Sequence, residues 1–429
     1  MTASIETIYS KYKESGKVST DTRQITPGSV FFALKGPNFN ANEFAADALA
    51  KGASYAVVDE EKFAIDQRFL LVDDGLTALQ DLAKHHRAQL NIPFVGLTGS
   101  NGKTTSKELV SAVLAKKFKT YATKGNLNNH IGVPLTILSI DSSYDMAVIE
   151  MGANHLSEIA LLCSIANPTH GFITNIGRAH IGTFGGYENI IRGKSELFQH
   201  LITTGGQVFI NSQNPILANM SKRFSNPLFY PAIGDYYHAD FIDADPLVRV
   251  RAENGQEVKT QMIGAYNFEN IAAALCIGKF FGVEDSLANG AIAEYVPGNM
   301  RSQVTHKGTN TIILDAYNAN PSSMEAAINN LAEMKASRKV VMLGDMYELE
   351  EEAEAEHKKL GSILKAKGIK EAYLCGKLIL AARETFPEAN FFETKEALYE
   401  QLKKQPIQNA TILIKASRGM AMEKVIDYI

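Results

Sequence analysis

Residues 98–105 read Thr98-Gly99-Ser100-Asn101-Gly102-Lys103-Thr104-Thr105: two glycines, then a lysine and two hydroxyl side chains. Such a run can hold a row of phosphates. Glycines let the backbone curl so that its N–H groups face inward, and a following helix adds partial positive charge at its N-terminus. In that arrangement Lys103 reaches the terminal phosphates and the Thr104 hydroxyl sits on a magnesium ion. The usual form G-x-x-x-x-G-K-[ST] would need Gly at position 97, which is Leu, so this is a shorter loop variant. A glycine-rich turn with a chance lysine is the competing reading. Magnesium is a hard cation that prefers oxygen ligands. Glu150, closing the apolar run in Ile149-Glu150-Met151-Gly152, is a candidate ligand, and His180 is a second. On spacing alone His180 and Lys194 would read as structural or surface residues.

These side chains need strands and helices to carry them. Ile92-Pro93-Phe94-Val95-Gly96-Leu97 reads as a buried strand ahead of the loop, and residues 106–114 have helical apolar spacing behind it. The same plan recurs. Apolar runs end at Glu150, at Asn175 and at Asn211 in the middle of the chain, and at Asp315, Asp345, Cys375 and Lys415 nearer its end. Strands that alternate with helices predict parallel, doubly wound sheets, whose ligands bind beyond the carboxyl ends of the strands. At 429 residues the chain is too long for one ordinary domain. The fold class expected is α/β with three domains: 1–88, small and α/β; 89–300, a central P-loop-type, doubly wound, mostly parallel sheet; and 301–429, a Rossmann-like domain without a G-x-G-x-x-G turn. The acidic run from Glu348 to Glu356 reads as a solvated helix face.

Composition narrows the function classes. Hydrophobic residues make up 45% and charged residues 21%, the balance of a globular chain. A net charge of −4 without a basic block argues against nucleic acid as a partner. Cys163, Cys276 and Cys375 lie far apart, which fits buried thiols in a reducing compartment rather than disulfides or a zinc site. The N-terminus lacks a basic region followed by an apolar one, and no apolar run is long enough to span a membrane. A cytoplasmic protein is expected.

Taken together, T-G-S-N-G-K-T-T, E-M-G, T-N-I-G-x-A-H ending at His180 and K-S-E from Lys194 resemble the Mur ligases, ATP-dependent amino-acid ligases of peptidoglycan synthesis. The stretch Gly125 to Pro134, with Asn129, and the stretch Tyr266 to Ala274 are similar to that family as well. The resemblance covers essentially the whole chain. Asp315-Ala316-Tyr317-Asn318-Ala319-Asn320-Pro321, Leu343-Gly344-Asp345 and Lys415-Ala416-Ser417-Arg418 resemble the member that adds D-alanyl-D-alanine, and Ser19-Thr20-Asp21-Thr22-Arg23 resembles the uridine-nucleotide-binding domain of the later ligases.

The resemblance implies ATP and Mg2+ as cofactors, and UDP-N-acetylmuramoyl-tripeptide and D-alanyl-D-alanine as substrates, joined through an acyl phosphate. It implies that Thr98, Gly99, Ser100, Asn101, Gly102, Lys103, Thr104, Thr105 and Asn129 form the nucleotide site. Asn267 and Asn270 would lie near the adenine, and Arg301 and Asp315 near ribose and phosphates. Thr104 and Glu150 would bind one magnesium; Glu150, His180 and a carbamylated Lys194 would support a second. Thr22 and Arg23 would meet the uridine, and Asn318, Asn320, Lys415 and Ser417 the dipeptide and the acyl transfer. A monomer is expected. Two positions depart from the family pattern: Asn40-Ala41-Asn42 stands for Asp-Gly-His, and Glu350 for the Gly that usually follows Glu-Leu. A ligase for the third peptide residue, a phosphotransferase and a non-enzymatic nucleotide-binding protein remain as alternatives at this stage.

Overall fold

The computed structural model describes residues 2–298 and 300–429; Met1 and Asn299, which fall in the first and second expected domains, lie outside the described residues. Three α/β units follow one another, each organised on a sheet. The first sheet is parallel, in the order Val18–Ser19, Val30–Phe32, Tyr55–Val58, Phe69–Leu71. The helix Gly75–Arg87, capped by the Asp74 side chain accepting from Thr77 N, leads from it into the central unit.

The central sheet runs Leu228–Tyr230, Gln207–Asn211, His170–Ile173, Phe94–Thr98, Met146–Glu150, Thr120–Ala122, parallel throughout. Its middle strands read as continuous apolar runs because helices cover both faces, and Phe94–Thr98 and Met146–Glu150 are buried at every residue. The strand Phe94–Thr98 lies mid-sheet, and the next strand in sequence sits at the far edge. Loops on either side of it therefore diverge and leave a crevice at its carboxyl end.

The third sheet runs Gln303–Lys307, Asn310–Leu314, Thr411–Lys415, Lys339–Gly344, Glu371–Cys375, Asn390–Phe392. It is parallel except for its first strand, which turns back on the second as an antiparallel edge.

Two elements differ from expectation. An antiparallel sheet, Asp240–Ala244, Leu247–Arg251 and Glu257–Ile263, interrupts the parallel plan of the middle segment. Its last strand alternates exposed and buried residues, the period of a half-buried strand, and Val248, Val250, Val258 and Met262 join the core under helix Asn267–Phe280. The acidic run is not a solvated face throughout. It forms a 3-10 turn, Glu350–Glu352, entering helix Ala353–Ala366, and within that helix Glu356 is 6% exposed. Arg178 of the central unit meets it there. The three cysteines are free and buried, as their spacing suggested.

Candidate active site

The glycine loop forms between strand Phe94–Thr98 and helix Lys103–Leu114. That helix starts three residues earlier than the apolar spacing alone implies, because Gly102 caps it at φ 77°. Both loop glycines are required by contact as well as by conformation. A Cβ on Gly102 would come within 2.6 Å of Asn270 Oδ1, and one on Gly99 would collide with the Thr174 hydroxyl. Asn175 and Ser100 tie the loop to the next strand end: Asn101 N donates to Asn175 Oδ1 at 3.0 Å, and Ser100 Oγ donates to Gly177 O at 2.9 Å. Lys103 folds back on its own loop, its Nζ donating to Gly99 O at 2.7 Å and Ser100 O at 3.2 Å. Burial pulls its pKa down to about 8.

Thr104, at the start of the loop helix, and Glu150, at the end of the strand paired with Phe94–Thr98, meet at 3.2 Å. Glu150 is 1% exposed; Oε1 also accepts from Asn128 Nδ2 at 2.8 Å, while Oε2 is buried without a partner among the described residues. A buried carboxylate oxygen left unpaired beside a threonine hydroxyl fits a hard cation. Lys194 lies behind this wall. Its Nζ donates to Ala153 O at 3.0 Å, and burial, aided by the charge of Lys103, holds its pKa well below the ordinary lysine range. His180 turns the other way: Nδ1 lies 2.5 Å from Glu348 Oε2 of the third unit.

Asn267 and Asn270 hold each other. Asn270 Nδ2 donates to Asn267 Oδ1 at 2.9 Å, and Asn270 Oδ1 accepts from Ser106 in the loop helix. The opposite wall comes from the third sheet. Lys415 Nζ pairs with Asp315 Oδ2 at 2.6 Å and donates to Asn318 O at 3.0 Å. The Arg301 guanidinium stacks 3.8 Å above the Tyr317 ring, with its Nε buried and unpaired among the described residues. Asn320 caps helix Pro321–Glu333 through Ser323 N, and its Nδ2 donates across the gap to Asn101 Oδ1 at 2.9 Å.

The two walls enclose a cleft of about 760 Å³, with Lys103, Glu150, His180, Asn267, Arg301 and Lys415 in its lining. Ser100, Asn101, Gly102, Thr104, Thr105, Asn129, Asn270, Asp315, Asn318 and Asn320 line it too. Other expected residues stand apart from the lining. Thr98 and Gly99 lie outside the lining, and so does Lys194, whose Nζ is held by the carbonyl of the lining residue Ala153. Ser417 is buried, with its Oγ accepting from Tyr347 N, so it braces the Tyr347 loop instead. Thr22 and Arg23 lie on an exposed turn of the first unit, where Arg23 grips Asp21. Sequence reasoning missed Asn128, Asn175 and Glu348. Asn128 stood inside the Gly125–Pro134 stretch, and Asn175 closed a strand; Glu348 was hidden within an acidic run.

Residues 97–278 match the Mur ligase middle domain, and residues 300–418 match the Mur ligase, glutamate ligase domain. The chain is 36% identical over 422 residues to the UDP-N-acetylmuramoyl-tripeptide–D-alanyl-D-alanine ligase of Escherichia coli (strain K12), covering 95% of this chain and 92% of the relative. Among solved structures it is similar to MurF from Acinetobacter baumannii, with a TM-score of 0.87 and 31% identity over 96% of this chain and 92% of the other. It is also similar to the MurF ligase from Thermotoga maritima in complex with ADP, with a TM-score of 0.85 and 26% identity over 96% and 97% of the two chains. With its glycine loop, its strand-end carboxylate and a second sheet facing both across one cleft, the chain belongs to the Mur ligase family.

Proposed function

We infer that this chain is an ATP-dependent amide ligase joining D-alanyl-D-alanine to UDP-N-acetylmuramoyl-tripeptide, the reaction that names its Escherichia coli relative. The observation that carries the reading is the cleft itself: a phosphate loop on one wall faces an Asp315–Lys415 pair from a separate sheet on the other. A simple phosphotransferase needs no such second wall. The third-residue ligase carries other motifs after the strand that here ends at Asp315. ATP use is supported by the relative solved with ADP.

The chemistry has two steps. A carboxylate oxygen of the tripeptide attacks the γ-phosphorus of ATP, and the bond to ADP breaks, leaving an acyl phosphate. The dipeptide amine then attacks the acyl carbon, the C–O bond breaks with its electrons on phosphate, and the amine gives up a proton. Lys103 exchanges its two loop carbonyls for phosphate oxygens, and the loop N–H groups hold the rest. Thr104 and Glu150 are the residues that would hold one magnesium, and Glu150, His180 and Lys194 as its carbamate a second. The ion supplies charge neutralisation for the transferring phosphoryl group. Carbamylation joins the neutral amine of Lys194 to CO2 and releases one proton; the depressed pKa of Lys194 supports it, because the unprotonated amine is the nucleophile. Asn267 and Asn270 frame the adenine side, Arg301 and Asp315 the ribose and phosphates, and Asn318, Asn320 and Lys415 the acyl-transfer side, with Thr22 and Arg23 at the uridine end. Excluding water protects the acyl phosphate from hydrolysis.

The domains divide at 88/89 and 300/301, and the enzyme works as a monomer in the cytoplasm; among the described residues no helix is long and apolar enough to cross a membrane. Phosphate release from ATP and Mg2+ tests the reading. Release should require both UDP-N-acetylmuramoyl-tripeptide and D-alanyl-D-alanine and yield a product heavier by the dipeptide. Release driven instead by a free amino acid, or by neither, would overturn it.

A further inference from the structure

The segment after strand His170–Ile173 touches both walls of the cleft. On one side Asn175 and Gly177 hold the phosphate loop: Asn175 Nδ2 donates to Asn101 O at 3.1 Å, and Gly177 N donates to Ser100 Oγ at 2.8 Å. On the other side the next residue reaches the third unit twice. Arg178 N donates to Ser322 Oγ at 2.8 Å, at the start of helix Pro321–Glu333. Its guanidinium lies 2.7 Å from Glu356 Oε1 and 3.5 Å from Glu352 Oε2, both on the acidic entry to helix Ala353–Ala366. The approach is close, since a Cβ on Gly177 would meet Ser322 Oγ at 2.9 Å. Glu356 is 6% exposed, and its ion-pair partner among the described residues is Arg178. A buried carboxylate tolerates that setting only while its cation stays in place. Position 178 is the unspecified one in T-N-I-G-x-A-H, so the nucleotide chemistry does not dictate an arginine there.

We propose that Arg178 is a positioning residue for ligation: through Glu356 it docks the third unit so that Asp315 and Lys415 face the phosphate loop. This rests on the ligase reading. One short segment thus bonds to the nucleotide loop and to the facing wall, so the placement of either is tied to the other. Misplacing reacting groups by about 1 Å can cost on the order of 100-fold in rate.

The test compares the wild type with Arg178→Ala, Glu356→Ala, the double variant and Arg178→Lys. Steady-state amide formation gives kcat and KM, calorimetry gives the affinity for a non-hydrolysable ATP analogue with Mg2+, and small-angle X-ray scattering of the analogue-bound protein gives its dimensions. Each single alanine variant should lose about tenfold or more in kcat. Analogue affinity should fall by clearly less than kcat does, since the loop itself is intact and the contacts displaced are those of Arg301 and Asp315. The double variant should be no worse than either single, Arg178→Lys should recover part of the loss, and the alanine variants should scatter as more extended particles. Unchanged kcat and dimensions would overturn the proposal. So would singles whose losses multiply in the double variant, or an analogue affinity that falls in step with kcat, which would mark general damage to the fold. Should the wild type form no amide, the ligase reading fails, while the scattering comparison still decides the docking.

Discussion

The two walls of the cleft are built on opposite plans. The phosphate-loop wall belongs to one sheet, and its side chains are fixed by short bonds to their own neighbourhood: Lys103 to its loop, Thr104 to Glu150, Asn270 to Ser106. The facing wall is braced within itself by the Lys415–Asp315 pair, and it meets the first through contacts that reach across, among them Asn101–Asn320, Arg178–Glu356, Arg178 N–Ser322 and His180–Glu348. One wall is therefore pre-organised by folding and the other by docking. Substitutions in the first should destroy chemistry outright, whereas substitutions between the walls should weaken the alignment of two intact halves.

The sharpest break is Lys103→Met. Phosphate release and amide formation should fall by about 1,000-fold or more, because the group neutralising the transferring phosphoryl is gone. Stability should move the other way. A lysine whose pKa falls to about 8 on folding carries its full penalty at pH 7. The unfolded chain binds more protons between pH 8 and the ordinary lysine value, so the wild type gains stability as pH rises through that window. Denaturation of the nucleotide-free proteins should show the Met variant more stable by about 1 kcal/mol near pH 7, with the advantage shrinking above pH 8. An advantage independent of pH would mean the buried charge is not its source.

Lys194→Ala should cost about 100-fold in amide formation, the range of a lost charge-stabilising group. Wild-type activity should drop in CO2-depleted buffer and return with bicarbonate, and the variant should ignore both. Smaller effects are expected where the walls touch. Asn320→Ala removes a helix cap and the bridge to Asn101, while Asn320→Ser keeps the cap and loses the bridge. The Ala variant should lose about 1 kcal/mol in urea denaturation and the Ser variant little of it. Both should lose several-fold in kcat, which separates alignment from stability.

This division also explains what could be read from residues alone. The loop, Glu150 and the strand ends were legible because glycines, a lysine and a closing carboxylate sit at fixed offsets from apolar runs. The wall-to-wall contacts were not. Glu348 and Glu356 look like any exposed glutamates until the third unit is docked, and nothing in the sequence pairs Glu348 with His180. The antiparallel sheet of the middle segment had a period-two signature in Val258, Thr260 and Met262, yet the parallel plan on either side masked it. Ser417 matched a motif whose residue serves here as a brace for Tyr347 rather than as lining.

The smallest effect concerns Glu350, at the point where the docked wall turns into its acidic helix. Its backbone is left-handed, φ 47°, and Gly182 of the first wall lies beneath it, so close that a Cβ there would come within 2.9 Å of Glu350 Cγ. A side chain in that conformation costs on the order of 1 kcal/mol relative to glycine. Against this, a carboxylate near a helix N-terminus contributes about 0.3–1 kcal/mol. Neighbouring Glu351 and Glu352 already serve that end, so the balance favours relief of strain. Glu350→Gly should therefore stabilise the protein by about 0.5 kcal/mol in urea denaturation. Glu350→Asn, which tolerates the left-handed region and keeps a polar side chain, should gain part of that. If both variants lose stability instead, the carboxylate is holding the helix entry, and docking depends on the acidic run as a whole rather than on Glu356 and Glu348 alone.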